Sequence, residues 1–175
     1  IKPYEELWAM YENVESCLNT WTQTGVSGLN SEEIRMTHKK LFSLATKLEK
    51  TFEKLPRIAK IAQNSAAKMK SFKPKIDVVR IMTTPGLKED HKAKMAKRIN
   101  PQGMSPGEDI TNMNLDQLDG AEAHIAYLDE VADFANRQYQ MENTLKEMKD
   151  TWKPINFETL EWKGVSHILT GETVE

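Results

Sequence analysis

The chain has 175 residues, of which 29% are charged and 39% hydrophobic, and its formal net charge is −2. That suffices for one domain, or two small subdomains, around a buried core, and the composition is that of a soluble globular protein rather than a disordered one. No apolar run approaches the roughly 18–20 residues that span a bilayer, which excludes a membrane-spanning helix.

The small net charge conceals an asymmetry. Lys54 through Arg98 carries thirteen Lys or Arg against three acids, a local charge of +10, whereas Ser105 through Asp150 carries three basic residues against eleven acidic, a local charge of −8. A basic block of that size could bind nucleic acid or an acidic protein. Solvated faces, or two opposed helical surfaces, are the simpler account, because no aromatic interleaving suits base stacking. Cys17 is the single cysteine, so no internal disulfide is possible, as befits a reducing compartment. There is no Asn-x-Ser/Thr acceptor, no signal peptide and no initiator methionine. The chain opens mid-pattern at Ile1 and stops at Glu175 where a further helix begins, which predicts a segment cut from something larger.

Leu7, Tyr11, Val14, Leu18 and Trp21 follow four-three spacing and predict a first helix, with Pro3 in its first turn. Gly25 and Gly28 mark its exit. Asn30 or Ser31 then caps a second helix, with Glu32 and Glu33 placed where the helix dipole favours acids. The strongest stripe follows: Ile34, Thr37, Leu41, Leu44, Leu48, Thr51, Leu55, Ile58, Ala62, Ser65, Met69 and Phe72. It crosses Pro56 without losing register, which predicts two collinear or gently bent helices sharing one buried face. Pro74 is expected to begin a third, short helix through about Met82, and Pro85-Gly86 to turn the chain into a helix near Glu89–Ile99. Two prolines and two glycines between Asn100 and Gly107 exclude regular structure there, and a short helical turn near Leu115–Leu118 closes at Gly120. From Ala121 to Trp152 the helical period returns, through Tyr127, Val131, Phe134, Gln138, Met141, Leu145, Met148 and Trp152. After Pro154 the period falls to two, and Lys163-Gly164 separates two strand-like runs, a β-hairpin signal.

The fold class predicted is therefore mainly α: elongated, antiparallel helical bundle subdomains with a C-terminal β-hairpin. Residues 1–99 form a helical bundle with the long helix pair, 100–120 a Pro/Gly-rich boundary with a short helix, and 121–153 a long helix. Residues 154–171 form the hairpin, and 172–175 begin a further helix.

No catalytic constellation is legible. The chain has no phosphate-cradling Gly-x-x-x-x-Gly-Lys-Ser/Thr and no dinucleotide-binding Gly-x-Gly-x-x-Gly. His38, His91, His124 and His167 are isolated, without a second histidine or cysteine at ligand spacing. Adjacent acids such as Glu32-Glu33 and Asp129-Glu130 diverge by about 100° on a helix and are poorly placed to share a metal or a proton. Catalytic, cofactor and metal sites are all expected to be absent. Four tryptophans read first as packing residues, with Trp162 the one open to a binding role, and the nine methionines as core filling.

Several landmarks together resemble the dynein heavy chain family, in the region just before and within the linker that precedes its motor ring. Tyr4-Glu5-Glu6-Leu7-Trp8 followed by Trp21 looks like that family's opening helix. Phe72-Lys73 before Pro74 and an apolar helix is similar to its next landmark. Thr84-Pro85-Gly86-Leu87-Lys88-Glu89-Asp90-His91 looks like its Asn-Pro-Gly/Ala-Leu/Met-x-x-Arg-His-Trp motif, with Thr84 for the asparagine and Asp90-His91-Lys92 for Arg-His-Trp. The helix carrying Val131, Ala132, Ala135, Leu145 and Trp152 resembles the family's next long helix, and the hairpin from Phe157 to Gly171, with Trp162, the strand pair after it. Ile168-Leu169-Thr170-Gly171 is closer to axonemal than to cytoplasmic dyneins.

The resemblance implies a non-catalytic mechanical segment, a part of the linker of a heavy chain. Its parent would be an ATP-hydrolysing, minus-end-directed microtubule motor, with ATP and Mg held in the AAA+ ring and no cofactor in this segment. Implied partners are the rest of the same heavy chain including the AAA+ ring, other dynein subunits, and microtubules through the parent. Neither nucleic acid nor membrane is implied as a partner. The implied location is the cytoplasm and cytoskeleton, in a cilium or flagellum axoneme. The residues carrying the resemblance are Leu7, Trp8, Trp21, Phe72, Pro74, Pro85, Gly86, His91, Trp152, Phe157 and Trp162. Bending is expected at Thr84–Gly86 and at a flexible boundary, Asn100–Gly107. A free-standing helical adaptor or scaffold that binds a protein partner is the alternative, with an enzyme or nucleic-acid binder behind it.

Overall fold

Apolar residues at three- and four-residue intervals give the first helix, α1 (Lys2–Gln23), a single stripe in which Leu7, Met10, Val14 and Trp21 are buried. The structure, a computed structural model, describes residues 2–101, 103–105, 107–154, 159–164 and 166–169. Of residues 159, 160, 162, 166, 168 and 169 it describes the backbone alone.

Helix α2 (Ser31–Thr51) starts where Asn30 accepts hydrogen bonds from the Glu32 and Glu33 N–H groups at 3.1 and 3.2 Å, satisfying two orphan donors of the first turn. Helix α3 (Pro56–Met82) starts on Pro56, where the missing N–H is not needed. The two helices are not collinear, as the continuous stripe suggested. They fold back on each other, and the His38 ring of α2 donates from Nε2 to the Met69 carbonyl of α3 at 2.6 Å. Proline disfavours the helical conformation in the residue before it. Leu55 accordingly adopts φ −123°, ψ 78°, which breaks the rod and lets both halves of one stripe face each other.

Pro74 begins no new helix either; it lies inside α3. Its ring removes the hydrogen bond to the carbonyl four residues back, at a cost of about 3 kcal/mol. Phe72, Ile76, Val78, Val79, Ile81 and Met82 are all buried around it, and full burial of one such side chain is worth about 1.5–3 kcal/mol. Tertiary burial thus outweighs the lost bond.

Tyr4 at the start of α1 meets Phe52 after the end of α2, ring centroids 5.0 Å apart. Trp21 near the end of α1 meets Phe72 in α3 at 5.5 Å, and Glu15 pairs with Lys68. Helices α1, α2 and α3 therefore run up, down and up. The bend at Pro85 and Gly86 (φ +85°) then leads into α4 (Glu89–Ile99), which Asn100 ends in the left-handed conformation. Within Asn100–Gly107, Gln102 and Pro106 lie outside the described residues.

Two short 3-10 turns, Ile110–Asn112 and Ala121–His124, flank a segment whose Met113, Leu115 and Leu118, with Ile110 of the first turn, plug the same core. That segment is tied to the exit of α1: the Val26 N–H donates to the Met113 carbonyl at 2.9 Å and the Leu115 N–H to the Thr22 carbonyl at 3.2 Å.

Helix α5 (Ile125–Trp152) buries Leu128, Ala132 and Ala135. Of the face expected to be buried, from Tyr127 to Trp152, Val131 packs against the core, but the larger residues are exposed. Phe134 is 61% and Met141 66% exposed, and Leu145, Met148 and Trp152 are exposed with them. The chain divides into two compact units, residues 1–136 and 137–175. In the second, β1 (Thr159–Trp162) pairs antiparallel with β2 (Ser166–Leu169), Thr159 opposite Leu169 and Trp162 opposite Ser166. Lys163 and Gly164 between them have φ +55° and +68°, the left-handed region that tight hairpin turns use. The expected Phe157 landmark and the expected helix at 172–175 lie outside the described residues.

Candidate functional site

Chemistry-bearing side chains converge at one corner of the first unit, where α4 begins. His91 is buried, and its Nδ1 accepts the Lys88 N–H at 3.2 Å, which locks the ring to the turn that starts the helix. With Nδ1 accepting, the neutral ring carries its proton on Nε2. The ring stands edge-on to Phe134 of α5 at 5.8 Å and 75°. The Arg98 guanidinium lies over Tyr127 at 5.4 Å, a second contact between α4 and α5.

On the other side of α4, Lys92 pairs with Asp109, and both side chains are largely buried. Asp109 also accepts the Thr111 N–H at 2.9 Å and the Thr111 hydroxyl at 2.8 Å, capping the 3-10 turn. Burial alone would raise the Asp109 carboxyl, but the Lys92 ammonium and both Thr111 donors outweigh it and hold the group below its ordinary value. The Asp109 hydrogen bond in turn raises Lys92 above its ordinary value, against the opposing effect of burial. The corner is a charge-clamped joint: α4 is fixed to the 109–113 segment by an ion pair and to α5 by ring contacts.

The sequence landmarks scatter across this architecture. Leu7 is buried in the core, whereas Trp8 is 54% exposed and touches Tyr11 edge-on at 6.0 Å. Trp21 and Phe72 meet, Pro74 sits inside α3, and Pro85, Gly86 and His91 frame the corner. Trp152 is exposed at the end of α5, the backbone of Trp162 lies in β1, and Phe157 is outside the described residues.

Among the described residues no three His, Cys, Asp or Glu side chains are grouped to hold a metal ion. His38 and His91 are buried and committed to hydrogen bonds, and burial pushes the Cys17 thiol up, away from the reactive thiolate. No described helix is long and apolar enough to cross a membrane. The Asp109 ion pair was invisible from sequence, although Asp-x-Thr is an Asx-turn signal. Nor did any local signal foretell the close approach at Gly25, where an added Cβ would stand 2.7 Å from the Asn112 carbonyl oxygen.

The first unit is thus a helical body clamped by packing and ion pairs. The chain belongs to the family described as Dynein heavy chain, N-terminal region 2, which matches residues 1–175. It is 25% identical over 167 residues to dynein axonemal heavy chain 1 of Homo sapiens, covering 93% of this chain and 4% of that one. To human dynein axonemal heavy chain 3 it is 24% identical over 161 residues, covering 92% of this chain and 4% of that one. To human dynein axonemal heavy chain 2 it is 22% identical over 163 residues, covering 93% and 4%. The chain therefore spans about 4% of the length of these curated relatives. No solved structure matches it.

Proposed function

We propose that the chain is a non-catalytic, load-bearing part of the linker of an axonemal dynein heavy chain. In this reading it carries the ATP-driven shape change of an AAA+ ring into minus-end-directed movement along microtubules, in the cytoskeleton of a cilium or flagellum. ATP and Mg belong to the ring, and the segment's own partners are the rest of the heavy chain and the other dynein subunits. The observation that carries the reading is the family match along the whole chain.

The physics of the first unit supports it. One continuous apolar cluster joins α1 to α5, and close-packed interiors resist compression, so displacement at one end is passed on rather than absorbed. The turn through Thr84, Pro85 and Gly86 is the place where such a body would bend, because hinges are a few loop residues that absorb backbone rotation.

The test is a swap in the parent motor. With residues 1–175 replaced by a Gly/Ser chain of equal length, the ring is expected to keep hydrolysing ATP while microtubule gliding stops. Unchanged gliding speed would contradict the proposal, and so would ATP hydrolysis by the isolated 175-residue chain.

A further inference from the structure

Helices α2 and α3 leave between them a groove of about 490 Å³, within the ~300–1,000 Å³ usual for binding clefts. Its floor is apolar. Ile76 is buried there, Phe42 is 37% exposed, and the His38 ring lies parallel to Phe42 with centroids 6.3 Å apart. The His38 hydrogen bond to Met69 crosses from α2 to α3 beneath the groove and holds its walls at a fixed spacing.

The rim is cationic: Arg35, Lys39, Lys70 and Lys73 line it and all four are exposed, with Asp77 the acid among them. Glu32 neutralises Arg35 through a 2.7 Å ion pair. No ion pair reaches Lys39, Lys70 or Lys73 among the described residues, so three positive charges against the one negative charge of Asp77, a net +2, surround an apolar slot. Burial of Ile76 on α3 and of His38 on α2 explains the floor; nothing in the packing of the two helices requires the lysines.

We propose that this groove docks an acidic peptide segment of a protein partner. One bulky apolar side chain enters against Phe42 and Ile76, and flanking carboxylates meet Lys39, Lys70 and Lys73. A carboxylate-bearing peptide suits the groove better than nucleic acid, because a single aromatic ring offers no row for base stacking. Arg35, the residue best shaped for phosphate, is already held by Glu32. The inference rests on the groove alone and stands whether or not the segment bears load.

Fluorescence anisotropy tests it, with the 175-residue chain titrated into a fluorescein-labelled peptide of glutamates flanking one central phenylalanine. Saturable binding is expected. The triple variant Lys39→Glu, Lys70→Glu, Lys73→Glu should bind at least about tenfold more weakly, since three exposed attractions are lost and each is replaced by a repulsion. Lys and Glu have similar helix propensity, so circular dichroism should show the variant folded. A labelled glutamate peptide lacking the phenylalanine should also bind about tenfold more weakly, through the lost burial of one ring. Equal affinity for the chain and the folded triple variant would overturn the proposal, as would absence of saturable binding. A labelled single-stranded oligonucleotide that bound more tightly than the peptide, and lost binding in the triple variant, would also overturn it.

Discussion

Gly25 and Asp109 show how much of the first unit hangs on single atoms. Gly25 has φ −58°, open to any residue, so its requirement is one of space: a methyl group would collide with backbone, which cannot rotate away. Gly25→Ala is expected to cost about 1–3 kcal/mol of stability in urea denaturation, the scale of an overpacked site. Asp109 acts through charge. Its carboxyl ionises more readily folded than unfolded, so its contribution is complete above the unfolded value of about 3.9 and disappears as pH falls through the lower folded value. Asp109→Asn should lower stability near pH 7 by roughly 1–2 kcal/mol, the combined scale of a cap and an ion pair. The variant should then lose less stability than the parent chain on acidification toward pH 2–3. Lys92 adds the opposite limb: with its value raised in the folded chain, its share is complete below about pH 10.4 and lost as pH rises through the folded value.

At the scale of elements, Pro74 and α5 can be tested directly. Pro74→Ala supplies an N–H to the Lys70 carbonyl inside a helix already held by burial on both sides, and should raise stability by up to about 3 kcal/mol. A loss of stability would mean that the ring's own packing matters more than the missing bond. In α5, Leu128→Ala should cost about 2–5 kcal/mol, whereas Met141→Gln, Leu145→Gln and Met148→Gln should each stay within about 0.5 kcal/mol. The same contrast explains which elements the sequence made legible. The α1 stripe, the Asn30 cap and the Pro85-Gly86 turn are local signals, and each appears where its chemistry placed it. In α5 the buried face is built on Ala132 and Ala135, small residues that carry little hydropathy but permit close approach, while larger apolar residues on the other face dominated the pattern. The reversal at Leu55 was hidden for a different reason. Two facing helices can share a stripe whose register runs unbroken across the turn, so periodicity alone cannot separate a long rod from a hairpin. The Lys92–Asp109 clamp joins groups seventeen residues apart on different elements, which no local window contains.

For the whole molecule, family membership and the clamped core meet in one expectation: softening the body should weaken mechanical output without touching nucleotide chemistry. Leu48 is fully buried, and Leu48→Ala would open a cavity costing about 2–5 kcal/mol while leaving every surface contact in place. The decisive measurement is the stall force of the parent heavy chain in an optical trap, taken with its microtubule-stimulated ATPase rate, for the parent and for Leu48→Ala. Stall force is expected to fall by at least about a third, while the ATPase rate stays within about twofold of the parent, a barrier change of under ~0.5 kcal/mol. An unchanged stall force, or an ATPase rate that collapsed together with it, would contradict the proposal that this segment is a passive bearer of load.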